Sequence, residues 1–458
     1  MKVVSSVSLP SLTAAVTRLQ RQLDALSHLA PGQRCLTLSE AVEAPPLIAW
    51  LAAQPQEAKI YWRGRRNGEE VAAIGIAQRH RLDRMPDADT LDRLYRQLLQ
   101  QDGDGDLRLY GGVAFDPKQP AWPEFGQAQF VLPRLELRRQ GEQAQLRLNL
   151  SVHNREWSQE LSDAHTALQA VVKAAPLPPL GPAHLLSRQD TPNRARWETL
   201  IGQVTHPSFI DDTPKVVLAR ETRMRTSAQP NPWTVLHAWQ LLNPGSYQYG
   251  FQFSEQHTFI SCSPERLYHR LGRELSTEAL AGTTVRGFNE ADDQALADAL
   301  LSDSKNSHEN QLVRQHIEAQ LSPLADYVGV EESPTILKLN HIQHLHRGIR
   351  AEIKAGVSDL QLLQALHPTP AVGGLPRDAA MSFIRQREGF DRGWYAGACG
   401  YLGQNESEFS VAIRSALFSP ERITLFAGAG IVGDSEVEAE WQELNNKLAT
   451  VLGILNGL

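Results

Sequence analysis

The chain has almost no cysteine: Cys35, Cys262 and Cys399 are the only 3 in 458 residues. Three scattered thiols form neither a disulfide framework nor a zinc ribbon, and they fit a reducing compartment. A surplus of basic charge is also missing. The 45 Lys and Arg residues stand against 52 Asp and Glu, a net charge of -7, which argues against nucleic acid or an anionic membrane as partner. No apolar run approaches the ~18 residues that cross a bilayer. The N-terminal MKVVSSVSLPSLTAAV is broken by Ser and Pro where a secretory leader needs a continuous apolar core. No Gly-x-Gly-x-x-Gly opens a helix after a strand and no Walker loop occurs, so nucleotide cofactors are not expected. Internal repeats and low-complexity segments are absent from the sequence. What is left is a cytoplasmic globular protein, 41% hydrophobic and 21% charged. Its length allows one large domain or two to three ordinary ones.

Taken in order, residues 1–30 suit a helix with Leu12, Val16, Leu19 and Leu23 on one face. Ala58–Ala77 reads as two strands around a polar turn, and Asp87–Gln101 as an amphipathic helix. Asp102, Asp104 and Asp106 imitate the start of a calcium loop, but Leu107 and Val113 stand where that loop needs Gly and Glu, so a solvated turn is expected. Leu107–Phe115 and Phe130–Leu137 read as strands, and residues 134–152 as a hairpin turning near Gly141. The Pro-rich Ala174–Pro182 is the clearest boundary, dividing 1–180 from 181–458. Beyond it, Arg194–Val204 and Trp233–Leu242 read as helices. Lys215–Arg220, Ser246–Phe253, Thr258–Ser261 and Glu408–Phe418 read as strands. Antiparallel hairpins mixed with helices, without regular βαβ alternation, predict an α+β fold.

Leu425–Leu448 concentrates the chemistry. Ala427-Gly428-Ala429-Gly430 lets a backbone lie close to a bound molecule. The helix that follows carries Val437, Trp441, Leu444, Leu448 and Val451 at helical spacing, with Glu440 inside the arc. A second carboxylate, Glu309, heads an apolar face of the helix Lys305–Leu321. From the Leu425–Leu448 stretch alone a solvated surface charge is an equal reading, and one inward carboxylate is a weak signal. Together, two inward carboxylates on separate helices suit Mg²⁺, which takes one or two carboxylates, waters and an anionic ligand. Lys215 opens an apolar strand and reads either as a solvated strand end or as a desolvated base. Glu265, after Ser263-Pro264, is a general acid if burial holds its proton. Gly282 and Thr283 in TEALAGTTVRG offer amide and hydroxyl donors, HPTPAVGG from His367 makes a stiff loop, and Arg414 is able to clamp a carboxylate. Singly each reads as an ordinary turn or ion pair; as a set they suit a small polyanionic substrate.

These motifs also carry a resemblance. SPERL with Glu265, TEALAGT, KNSHENQLV with Glu309, HPTPAVGG, AIRSALF, AGAGIV and AEWQELNNK follow in the order seen in chorismate-utilising enzymes, across residues 195–458. Within them the chain looks most like an isochorismate synthase of the menaquinone type. The resemblance implies a large α+β fold with stacked β-sheets surrounded by helices. Residues 181–458 would be the chorismate-binding catalytic region, and 1–180 an N-terminal α/β region on the same core. It implies Lys215 as the base that activates water and Glu265 as the acid, with Glu309 and Glu440 as ligands of Mg²⁺. Arg414 with the amides near Gly428 and Gly430 would bind one substrate carboxylate. His367 and the turn at Ala281, Gly282 and Thr283 would line the ring pocket. Anthranilate synthases carry Gln in place of Lys215, and aminodeoxychorismate synthases a lysine in place of Ala281. No glutamine amidotransferase partner is therefore implied, and a monomer or homodimer is expected. Siderophore-pathway isochorismate synthases do the same chemistry, and salicylate synthases go on to eliminate pyruvate; these are the alternatives. Glu278, an extra acid near the site, is expected to pair with Arg286.

Overall fold

Two arms of antiparallel strands, hydrogen-bonded into one continuous set, form the frame of the molecule. The computed structural model describes residues 9–29, 34–65, 68–85, 106–153, 156–181, 184–338 and 342–455. The expected helix Asp87–Gln101 and the residues Asp102 and Asp104 lie outside these. Both arms leave the long strand Ala128–Gln140, which pairs with Glu69–Leu82, Arg108–Val113 and Gln143–Ser151. The first arm runs from Glu69–Leu82 through Lys59–Arg63, Tyr247–Ser254, His257–Ser263, Ser415–Ser419 and Arg422–Ile431 to Lys215–Thr226. The second runs from Arg108–Val113 through Ala398–Gly403, Glu406–Val411, Arg266–Leu271 and Glu274–Val285 to Ile342–Ile353. Strands from before and after the Pro-rich connector therefore share both arms.

Period-2 alternation gives each strand two faces, and the inner faces meet in an aromatic core. Trp62 of the first arm stacks on Tyr249 at 5.3 Å and meets the edge of Tyr401, of the second arm, at 5.9 Å. Trp394, Phe251, Phe253 and Phe259 extend this core, all of them buried. Aromatic pairs at such distances add to the gain from burial alone. Helices cover the outside. Leu12–Asp24, capped by the Ser11 hydroxyl, buries Leu19 and Leu23, while Arg194–Val204, capped by Asn193, buries Trp197 and Leu200.

Two expectations need correction. Glu408–Phe418 is not one strand: it breaks between Val411 and Ser415, where the chain passes from the second arm to the first. Arg414 at this crossing has φ 50°, a conformation that costs a side-chain-bearing residue roughly 1–2 kcal/mol. Glu278 pairs with Arg65, whereas Arg286 holds Asp293 at 2.6 Å. Glu278 and Arg286 lie eight residues apart along extended chain, roughly 25 Å, too far for contact. The Asp106 carboxylate pairs with Arg138 at 2.8 Å and Arg147 at 2.5 Å, an ion-pair cluster in place of a calcium loop.

Candidate active site

The two arms end around a cavity of about 310 Å³ whose wall includes Glu265, Gly282, Thr283, Glu309, Arg414, Gly428, Gly430 and Glu440. Each reaches it for a local reason. The C-terminal helix Val437–Leu455 buries Leu444, Leu448 and Val451 against the strand Arg422–Ile431, and the same stripe turns Glu440 inward. Ser435 Oγ donates to Glu440 Oε1 at 2.7 Å. Burial raises the proton affinity of Glu440, the Ser435 hydroxyl opposes it and Glu443 adds to it, leaving a pKa of about 6.

The helix Ser304–Leu321 starts at an Asp303 cap and buries Asn310, Val313, Ile317 and Leu321. Glu309 therefore sits at the edge of the buried face instead of heading it, with its side chain 24% exposed. Asn310 locks the helix to the sheet: its amide donates to Leu345 O at 3.2 Å, and its carbonyl accepts from Arg347 Nε at 3.0 Å. Lys215 is buried at the start of its strand, and its Nζ lies 2.7 Å from Glu309 Oε1.

Glu265 follows the end of the strand His257–Ser263 and is buried. Its carbonyl accepts from Val411 N at 3.1 Å and Ser410 Oγ at 2.9 Å, which ties the peptide down. Burial pushes its carboxyl up to about 8; the Glu278 carboxylate adds to this, and Lys215, Lys447 and Arg65 oppose it. A carboxyl that keeps its proton at neutral pH is what a general acid requires.

At Ala281-Gly282 the pairing between Glu274–Val285 and Ile342–Ile353 shifts register, a bulge that turns the segment toward the cavity. Gly282 has φ +86°, and a Cβ there would lie 3.1 Å from Asn306 Cβ. Thr283 N donates to Asn306 Oδ1 at 3.2 Å, and its hydroxyl contacts His344 Nδ1 at 2.8 Å. Opposite, the strand Ser415–Ser419 covers Arg422–Phe426 only, leaving that edge open beyond Phe426. Val217 and Ala219, the partners of Gly430 and Gly428, send their N–H groups away to Gly373 O at 2.9 Å and Glu388 Oε1 at 2.6 Å. By ladder geometry the Gly428 and Gly430 amides then face the open edge.

Arg414 reaches the wall with its Nη1 donating to Lys447 O at 3.1 Å. Among the described residues it has no acidic partner within ion-pair distance, so its charge is available to an anion. His367 does not line the cavity. It ends the helix Asp359–Leu366 and packs edge-on to Phe115 at 6.3 Å, so Ala371 is what its loop contributes to the wall. Ala281 is in the wall.

The structure adds residues that sequence reading left out. Glu443 and Lys447 lie one turn and two turns beyond Glu440, pair at 2.5 Å, and Lys447 also donates to Gly428 O at 2.7 Å. Their i+3 and i+7 spacing from Glu440 was a usable signal. Asn306, three residues before Glu309, offered the same clue. His344 and Tyr395 come from distant strands and loops and had none.

Among the described residues no cluster of three or more His, Cys, Asp or Glu encloses a metal ion. Mg²⁺ does not need one. Glu309 and Glu440 reach the same cavity with hard oxygen donors. Oxygen donors of this kind are the ones Mg²⁺ takes, so the donor chemistry of these two residues fits that ion.

Fold and site together define a large α+β enzyme with a carboxylate-rich cavity and, in its wall, a guanidinium that has no acidic partner among the described residues. The sequence profile described as chorismate binding enzyme matches residues 21–456. The chain is 37% identical over 457 residues to the isochorismate synthase MenF of Escherichia coli (strain K12), covering 97% of this chain and 99% of that one. It is 37% identical over 357 residues to the salicylate biosynthesis isochorismate synthase of Pseudomonas aeruginosa, covering 77% and 75%. The solved structure of the menaquinone-specific isochorismate synthase MenF from Escherichia coli superposes with a TM-score of 0.87 at 35% identity, over 97% of this chain and 99% of that one. The chain belongs to the chorismate binding enzyme family. No helix among the described residues is long and apolar enough to cross a membrane.

Proposed function

We propose that this chain is an isochorismate synthase of the menaquinone type, isomerising chorismate to isochorismate by adding water at C2 and losing the C4 hydroxyl. One observation carries the reading: a buried carboxyl, Glu265, whose proton affinity burial raises, shares the cavity wall with Glu309, and Glu309 in turn holds Lys215 at 2.7 Å just behind that wall. Glu309 and Glu440 would hold Mg²⁺, which supplies positive charge for the ring carboxylate of the substrate. Arg414 and the amides of Gly428 and Gly430 receive the enolpyruvyl carboxylate. Lys215 takes a proton from the attacking water. As the ring double bonds shift, Glu265 gives its proton to the C4 oxygen, which leaves as water. One water enters and one departs, so the reaction runs in both directions with acid and base exchanged.

Residues 181–458 supply the base, acid and metal carboxylates in this proposal, and 1–180 is an N-terminal region on the same core. Lysine at 215 calls for no ammonia-delivering subunit, and the cytoplasm is the compartment we assign. Product analysis after incubation with chorismate tests the reading, with and without Mg²⁺ and ammonium. Mg²⁺-dependent isochorismate without pyruvate is expected. Salicylate plus pyruvate, or an aminated product, overturns it.

A further inference from the structure

One buried ion pair, outside the lining of the cavity, holds the main chain on either side of Glu265. Arg65 comes from the turn between Lys59–Arg63 and Glu69–Leu82, and Glu278 from the strand Glu274–Val285. Their side chains are 4% and 2% exposed. Arg65 Nη1 donates to Glu278 Oε1 at 2.8 Å and Nη2 to Oε2 at 2.5 Å, a two-pronged contact with fixed geometry. Arg65 Nη1 also donates to the carbonyl of Pro264, the residue before Glu265. Glu278 Oε1 accepts from the backbone N–H of Arg266 at 3.0 Å, the residue after it. The pair thus grips the main chain on both sides of Glu265. Behind it, His346 Nε2 meets Glu278 Oε2 at 3.0 Å, and the Arg65 guanidinium lies over the Tyr247 ring at 5.6 Å.

We propose that Arg65 and Glu278 are positioning residues for the general acid, fixing the Glu265 peptide and setting the electrostatic field its carboxyl feels. The proposal rests on the reading of Glu265 as the acid. It also gives the N-terminal region a part in the chemistry, since Arg65 is contributed from before the Pro-rich connector.

Four charged groups act on Glu265 from four elements: Glu278 from its strand, Lys215 from the strand Lys215–Thr226, Lys447 from the C-terminal helix, and Arg65. Burial also pushes the Glu278 carboxyl up, but the hydrogen bond from His346 and the Arg65 pair hold it well below the usual carboxylate range. Glu278 is therefore an anion throughout the working pH range and opposes ionisation of its neighbour. Arg65 has the opposite sign and the opposite effect. A lysine would keep that charge but lose the fork that reaches Pro264 and Glu278 together.

The test is the pH profile of kcat/KM for isochorismate formation at saturating Mg²⁺, which reports ionisations of the free enzyme. In the parent enzyme the alkaline limb follows loss of the Glu265 proton. Glu278→Gln removes the anion and moves that limb down by ~1 unit, a ~5-fold loss of rate at pH 8 that grows toward ~10-fold at higher pH and nearly vanishes by pH 6. Arg65→Gln removes the cation and moves the limb up, while kcat falls at every pH because Pro264 loses its donor. Displacements of opposite sign do not come from a general loss of stability. If one variant does not fold, the direction of the other decides. Limbs that stay in place, or a single folded variant that moves against its predicted direction, overturn the proposal. Glu265→Gln separates the two readings. Full turnover in that variant removes the acid and this proposal with it, whereas an inactive variant beside unmoved limbs removes the positioning pair alone.

Discussion

Lys215 Nζ and Glu309 Oε1 share a 2.7 Å hydrogen bond, so the proposed base and one proposed metal ligand are a single contact unit. Glu440 has no such tie among the described residues: its partner there is the Ser435 hydroxyl. The two carboxylates should therefore respond differently to the same change. Glu309→Gln is expected to weaken Mg²⁺ at least ~10-fold, about 1.4 kcal/mol, and also to lower kcat when Mg²⁺ is saturating. Glu440→Gln is expected to weaken Mg²⁺ similarly but to recover most of kcat at saturation. Mg²⁺ titrations of both variants check this, and equal recovery would mean that the Lys215 contact is idle. Because a ligand must be deprotonated to bind metal, Mg²⁺ affinity in the parent should also fall as pH drops through about 6, where Glu440 takes up its proton.

Lys215→Ala removes the base without touching Arg414 or the glycine amides. Turnover should drop ~10²- to 10⁴-fold, the range for a positioned proton acceptor, while chorismate still binds. Calorimetric binding alongside single-turnover kinetics would measure the two separately. Near-normal turnover would retire Lys215.

Two glycines of the Arg422–Ile431 strand are constrained by neighbouring side chains. A Cβ at Gly430 would lie 3.2 Å from Lys215 Cε and 3.4 Å from Glu309 Oε1, and one at Gly428 would lie 2.8 Å from the Tyr395 hydroxyl. Gly430→Ala should lower kcat ~10-fold or more with a small change in melting temperature, because displacement of a reacting group by well under 1 Å is costly. A normal kcat would show that the pair is free to move.

Stability should depend on acid through His367. Burial, with Arg377 adding to it, lowers the imidazole from an ordinary 6.5 to about 3. Above pH 6.5 both folded and unfolded chains carry it neutral, and its full share of stability is present. As pH falls from about 6.5 to about 3, the unfolded chain binds a proton that the folded chain refuses. Stability is then lost at up to about 1.4 kcal/mol per pH unit. His367→Gln should flatten the dependence of unfolding free energy on pH in that window, measured by urea titration. An unchanged slope would show that the group titrates alike in both states.

Much of the secondary structure was legible because local pattern and local environment agree. Arg194–Val204 is a helix with those bounds, and the Gly141 hairpin turns where a positive φ was needed. Where pattern and environment diverge, the reading failed. Residues 408–418 alternate as one strand, yet the chain passes from one arm to the other at Ala412–Arg414. Alternation records which side is buried, and burial continues through the crossing.

The ordered motifs were enough to indicate the family, and helical spacing was enough to turn Glu440 toward the buried side of its helix. The partners were beyond reach. That Lys215 meets Glu309, that Glu278 takes Arg65 instead of Arg286, and that His367 turns to Phe115 and away from the cavity are contacts between segments tens to hundreds of residues apart. Local periodicity sets the direction of a side chain from its own element. Only the packing of one element on another decides what stands there to meet it.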